Sequence, residues 1–153
     1  MIIKVKVELI EQKPELALAL KRRASMETLK PIIDEGYDIL QNYLSGLGKQ
    51  PSGTPYIAYL GMGEEFDMEV GFPISEELPV KGDLYMSKTC SGPAATGTHK
   101  GSYDRLEQAY GEIFKYMEEN SLEPTGVYYD YYINDPSVTP EDELLTKIVI
   151  PVK

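Results

Sequence analysis

The residues best suited to ligand chemistry lie in one short stretch near the end of the chain, where Asp130 stands between Tyr128 and Tyr132. The residues around them favour a β-strand, in which alternate side chains share a face, so the acid and both tyrosines point the same way. Such a carboxylate either faces water or forms the polar point of an aromatic pocket for a cationic or hydrogen-bonding organic ligand. The strand by itself favours the solvated surface, and the rest of the chain changes that balance.

Other residues that commonly carry chemistry have no suitable neighbours in the sequence. His99 precedes a predicted helix, and no serine or cysteine pattern accompanies it, so we expect it to be structural. The single cysteine, Cys90, has no partner for an internal disulfide, and no Cys/His cluster has the spacing of a zinc site. We therefore expect no metal and no cofactor.

Length and charge narrow the class of protein. The chain has 153 residues, of which 42% are hydrophobic, enough for one domain with a core. A formal net charge of -10 disfavours direct contact with nucleic acid, since phosphate binding needs a basic surface. No apolar run is long enough to span a bilayer, and the first residues alternate instead of forming a signal peptide, which predicts a cytoplasmic protein without a membrane partner.

Hydrophobic periodicity predicts an α+β fold with two long helices, near residues 28–47 and 102–120. Thr28 is the predicted N-cap of the first helix, and Gly101 with Ser102 of the second. Residues 5–9 and 16–20 predict a strand pair or one strand interrupted near Pro14. The remaining predicted strands lie at residues 54–60, 66–74, 83–90, 94–99, 127–133 and 144–152.

The two halves of the chain repeat each other at one constant offset. The identical pairs are Tyr37 and Tyr110, Tyr43 and Tyr116, Pro51 and Pro124, Gly53 and Gly126, Tyr56 and Tyr129, and Tyr59 and Tyr132. The order strand, helix, strand, strand also occurs twice, so we predict a tandem duplication with modules at about 1–78 and 79–153. At the same offset Ile57 is the counterpart of Asp130. This asymmetry indicates either a ligand site between the repeats or drift at an exposed position.

Three segments of the second half resemble motifs of DNA gyrase inhibitor-like (GyrI-like) domains. Residues 98–106, followed by Ala109 and Tyr110, resemble the His-x-Gly-x-Tyr start of the second helix of those domains. Residues 130–136 resemble their acid-x-Tyr-x-x-Asp-Pro motif, and residues 145–152 their closing Leu-Thr-Glu-Ile-x-x-Pro-Val strand, with Lys147 in place of the glutamate. The segments occur in the family's order, and together with the repeat the resemblance extends over the whole chain.

The resemblance implies a fold and a function. The implied fold is a tandem duplication of a strand-helix-strand-strand module, an antiparallel sheet with two long helices and a ligand cleft between the modules. Members bind small molecules that are often cationic, aromatic and hydrophobic, as effector-binding domains of multidrug-responsive transcription activators or as stand-alone proteins. We expect the stand-alone form, since no helix-turn-helix segment precedes the first strand. The family's usual ligand-contacting glutamate falls on Asp130, whose shorter side chain places the carboxylate deeper.

These arguments define the expected site and function. The predicted ligand-binding residues are Asp130, Tyr128, Tyr132, Tyr59 and Ile57. Tyr59, the counterpart of Tyr132, would approach from the other module. We expect a sensor or sequestering protein that binds small organic molecules, aromatic or cationic, and we favour this over an enzyme.

Two alternatives remain open. The first is a hydrolase of reactive, cyclopropane-bearing genotoxic molecules that uses Asp130 with a tyrosine, as some family members are described. The second is an acidic inhibitor that binds a basic protein such as a topoisomerase. The sequence specifies neither the ligand nor the oligomeric state nor a protein partner.

Overall fold

The computed structural model describes residues 6–25, 27–61, 63–102, 105–134 and 138–153. Val5, Tyr103, Asp135 and Pro136, which belong to the predicted strands and motifs, lie outside these ranges. The described residues form two α-helices, α1 (Leu29–Gly46) and α2 (Leu106–Glu119), and a short 3₁₀ turn at Glu141–Glu143. The eight strands found there are β1 (Glu8–Gln12), β2 (Leu16–Ser25), β3 (Tyr56–Tyr59), β4 (Glu65–Pro73), β5 (Tyr85–Lys88), β6 (Gly92–Lys100), β7 (Tyr128–Tyr132) and β8 (Leu145–Pro151).

The chain forms two compact units with the same internal topology. The α1 unit comprises residues 13–90, and the α2 unit comprises residues 1–12 and 91–153. In the α1 unit the strands run antiparallel in the order β5-β2-β4-β3. In the α2 unit they run antiparallel in the order β1-β6-β8-β7. Each unit thus contains strand, helix, strand, strand plus one outer strand, which confirms the predicted α+β class with its duplicated module.

The α1 helix packs closely on one face of the α1 unit's strands. An ideal Cβ on Gly36 would lie 2.9 Å from Cγ2 of Val70, so the glycine allows the helix backbone to approach β4. The ring of Tyr37 contacts that of Phe72, with centroids 5.5 Å apart. Because side chains alternate along a strand, Val70 and Phe72 mark the face of β4 that α1 covers.

The α2 helix buries one stripe of side chains at helical spacing. Ala109, Ile113 and Met117 recur every four residues and are buried. Ile113 is fully buried, whereas Leu106, which the sequence assigns to the same stripe, is half-buried in the first turn. The apolar face of α2 is therefore centred on Ile113.

Both helix starts differ from the predicted capping. Thr28 is at the N-cap of α1, but its hydroxyl oxygen makes no capping bond and accepts the Ser25 N–H at 2.9 Å. The α2 helix begins at Leu106, because Gly101 has a φ of 131° and cannot join a helix. The His99 ring also bonds the Ser102 carbonyl at 2.9 Å, which holds this segment outside the helix.

Two strand predictions are corrected by the observed pairing. Residues 8–12 and 16–25 are separate strands with different partners, since β1 pairs with β6 while β2 pairs with β4 and β5. Gly92 and Pro93, predicted as a break, begin β6 and lie opposite Gln12 and Glu11. Neither helix in the described ranges has the length and apolar character needed to cross a membrane.

Candidate functional site

Asp130 is a buried acid that faces the α2 helix. It lies in the middle of β7, and 2% of its surface is exposed. Its Oδ1 accepts a hydrogen bond from the hydroxyl of Tyr110, which projects from α2. The carboxylate therefore points into the space between the strand and its own helix. Of the two interpretations that the sequence left open for this strand residue, the solvated surface acid is excluded.

Aromatic rings from the strand and the helix surround this position. Tyr128, which precedes Asp130 by two residues, is buried, and its ring meets Phe114 edge-on with centroids 5.9 Å apart. Phe114 in turn contacts Tyr110, at 6.2 Å. Tyr132 follows on the same face by strand alternation and is half-buried. We call Tyr110, Phe114, Tyr128 and Asp130 the acid-aromatic cluster.

The two other predicted site residues lie on β3 of the α1 unit. Ile57 is fully buried and is the cross-strand partner of Val70, so it faces α1. Tyr59 shares this face, is half-buried, and packs edge-on against Phe66 with centroids 5.7 Å apart. In its own unit Ile57 therefore holds the position that Asp130 holds in the α2 unit, on the helix-facing side of the middle strand.

The structure thus brings Asp130 and Tyr128 together, with Tyr132 beside them, and separately places Ile57 with Tyr59. Contact of all five with one ligand remains a prediction. The partner that sequence reasoning missed is Tyr110. The repeat did contain a signal for it, because Tyr110 and Tyr37 are a matched pair on the two helices, as Asp130 and Ile57 are on the strands.

Other ionisable groups lie outside the cluster and have local roles. The His99 ring faces a backbone carbonyl, so the nitrogen Nε2 must be the donor in that bond. Lys49 bonds and attracts the exposed Glu76 carboxylate at 2.6 Å, and this contact lowers the pKa of Glu76. Within the described ranges, no three His, Cys, Asp or Glu side chains are grouped to hold a metal ion.

Comparison with known proteins identifies the class to which this fold and cluster belong. The duplicated strand-helix-strand-strand module is found in proteins whose family model is described as the GyrI-like small molecule binding domain, and that model matches residues 6–153. The chain therefore belongs to the GyrI-like family. A search of curated protein sequences found no significant match.

Solved structures share the fold at low sequence identity. The C-terminal domain of EcmrR is 18% identical, with a TM-score of 0.76 and 99% of each chain covered. SAV2435, solved with bound tetraphenylphosphonium, is 11% identical, with a TM-score of 0.71 and coverage of 97% of this chain and 94% of that one. A hydrolase from Listeria innocua is 13% identical, with a TM-score of 0.71 and coverage of 98% and 93%. At these identities the likeness establishes the fold alone.

Proposed function

We propose that this protein binds small organic molecules, aromatic and cationic in character, and that Asp130 is the acid that holds them. The observation that carries the proposal is a carboxylate with 2% exposure inside a group of aromatic rings, in a chain of the small-molecule-binding GyrI-like family. Aromatic faces attract organic cations, and a desolvated carboxylate adds a strong charge-assisted contact. The bound tetraphenylphosphonium of SAV2435 supports a ligand of this character.

The proposed ligand-binding residues are Asp130, Tyr128, Tyr132, Tyr59 and Ile57. Because Asp130 is so deeply buried, a ligand reaches its carboxylate only when the side chains that cover it move. Tyr110 is the side chain whose hydroxyl bonds the acid, so we propose that ligand entry separates this pair. Rings that keep their contact with the ligand then replace the packing that is lost. In this role the protein serves as a sensor or a sequestering protein.

Calorimetric titration of the wild-type protein tests the proposal. The probes are tetraphenylphosphonium and the neutral triphenylphosphine oxide, which presents similar aromatic area without a net charge. We expect saturable binding of the cation and weaker binding of the neutral compound, because only the cation gains the carboxylate contact. Absence of saturable binding for both probes, extended to a panel of aromatic cationic dyes, would contradict the proposed function.

A hydrolase acting on cyclopropane-bearing electrophiles is the second candidate. The fold shared with the Listeria innocua hydrolase motivates it, together with the Asp130 and Tyr110 pair, which supplies a base beside a hydroxyl. In such a reaction Asp130 would accept a proton from the water that opens the ring. Mass spectrometry would detect a product one water heavier than the substrate, and Asp130→Asn should abolish it. A wild-type protein that binds such a compound without converting it would remove this candidate.

A further inference from the structure

A second buried carboxylate, Glu69, lies on the opposite side of the α1 unit from its helix. Glu69 is on β4 and is 8% exposed. It stands next to Val70, the residue against which Gly36 of α1 packs, so strand alternation directs Glu69 to the face that α1 does not cover. No residue of the sequence-predicted site lies on this face.

Three hydroxyl groups from two other strands surround the Glu69 carboxylate. Tyr56 on β3 donates to Oε2 at 2.7 Å, and Tyr85 on β5 donates to Oε1. Ser87, also on β5, lies 3.1 Å from both oxygens. An ionised carboxylate accepts hydrogen bonds only, so a shell made entirely of donors suits a negative charge. We call Glu69, Tyr56, Tyr85 and Ser87 the hydroxyl cage.

The backbone beside the cage is shaped to hold Tyr56 in place. Tyr56 lies directly across from Gly71 in the β3–β4 pair, and a Cβ on Gly71 would come within 2.2 Å of Cζ in the Tyr56 ring. Any residue other than glycine would displace the ring. The phenol therefore lies across β4 with its hydroxyl directed at Glu69, two residues before the glycine.

The cage holds a carboxylate without an ionic partner. In the described part of the chain no lysine or arginine nitrogen lies within ion-pair distance of Glu69. Lys21 is its cross-strand neighbour on β2, but the Lys21 ammonium lies over the Tyr85 ring, 5.8 Å from the centroid. That ring face already attracts a cation, which identifies the chemistry that the cage favours.

Space for a ligand adjoins the cage on the same strands. An open cavity of about 270 Å³ is lined by Lys21, Arg22, Arg23, Leu60 and Asp67. Asp67 and Arg23 are a cross-strand pair, two residues along from Glu69 and Lys21, so these side chains are on the face of the cage. Tyr85 and Ser87 are only half-buried, which leaves this side of the carboxylate near the surface.

We propose that the hydroxyl cage is a second ligand subsite, specific for the ammonium group of an organic cation. Glu69 supplies the charge, the tyrosine rings supply faces for the alkyl groups on nitrogen, and Lys21 competes for the ring of Tyr85. The subsite is in the α1 unit and is separate in sequence and in strand face from the cluster around Asp130. It rests on the proposed small-molecule binding and extends it to a second acid.

Nuclear magnetic resonance of protein with ¹³C-labelled tyrosine rings, titrated with benzyltrimethylammonium chloride, tests this subsite. The Tyr56 and Tyr85 signals are assigned from single Tyr→Phe variants. We expect both signals to shift and saturate in the wild type and in Asp130→Asn. Glu69→Gln keeps the shape of the side chain and should weaken the binding about ten-fold or more, since it removes the charge. Unchanged affinity in Glu69→Gln, or saturation confined to the Tyr110 and Tyr128 signals, would overturn the subsite.

An exposed variant makes the test independent of the stability of the cage. Lys21→Met removes the competing ammonium and should tighten binding about two- to five-fold, the range expected for an exposed cation–π contact. Lys88→Met removes an equal charge from β5 on the other strand face and should change little. Equal effects of both lysine variants would contradict the competition. Because these signals report the cage directly, the subsite can fail while calorimetry still detects binding that depends on Asp130.

Discussion

At the scale of single residues, the central feature is the contact between Asp130 and Tyr110. Strand alternation predicted from the sequence alone that Asp130 shares a face with Tyr128, and both do contact residues of α2. The contact with Tyr110 was not predictable from alternation, because it depends on how the helix rotates and docks against the strand. Burial of the acid has the same origin, since it follows from what covers the strand.

Removing the Tyr110 hydroxyl should destabilise the fold. Tyr110→Phe leaves the buried Asp130 carboxylate without this donor, and the loss of a hydrogen bond to a charged group costs about 1.5–3 kcal/mol. The free energy of unfolding in urea measures this cost. Tyr116→Phe is the matched control on the same helix, because the Tyr116 hydroxyl makes no hydrogen bond within the described ranges. Similar losses in both variants would show that the contact with Asp130 contributes nothing specific.

At the scale of secondary structure, periodicity predicted which elements form better than it predicted where they begin or pair. The stripe of apolar residues located both helices, and the predicted and observed ends of α1 agree within a residue or so. The start of α2 was missed because Gly101 and the His99 ring hold the preceding segment in a turn. Partners of β1 and β2 were missed because pairing depends on which units the strands join, and local pattern does not encode that.

Two helix glycines should respond to alanine in opposite directions. Gly36→Ala places a methyl group 2.9 Å from Val70, a stiff and fully buried side chain, and overpacking of this kind costs about 1–3 kcal/mol. Gly111 on α2 has no atom within 4 Å of an added Cβ, so Gly111→Ala should stabilise by about 0.5–1 kcal/mol through helix propensity. Thermal unfolding compares the two. A stabilised Gly36→Ala protein would mean that α1 does not pack on β4 as described.

The buried face of α2 makes a further prediction about core packing. Ile113→Ala should cost about 2–5 kcal/mol, because it opens a cavity at a fully buried position. Leu106→Ala, half-buried in the first turn of the same helix, should cost clearly less. Chemical denaturation of both variants tests the orientation of the helix, and a larger loss at Leu106 would require a rotated α2.

At the scale of the whole molecule, the two units share one topology and differ in where they place a buried acid. The repeat read from the tyrosine and glycine matches predicted the shared topology, which the equivalent strand orders confirm. The helix-facing acid of the α2 unit, Asp130, is replaced by Ile57 in the α1 unit. The buried acid of the α1 unit, Glu69, lies instead on the face away from the helix. The offset comparison did not reveal Glu69, because its hydroxyl partners come from three-dimensional neighbours on β3 and β5.

The most direct test of the central claim is calorimetric titration of wild type and Asp130→Asn with tetraphenylphosphonium and triphenylphosphine oxide. A charge-assisted contact is worth about 1.5–3 kcal/mol, and each 1.4 kcal/mol is about ten-fold in affinity. Asp130→Asn should therefore weaken the cation about ten-fold or more and the neutral compound much less, while its unliganded fold remains intact by circular dichroism. Equal losses for both ligands, or no loss for either, would contradict the role of Asp130 as the acid that holds the ligand.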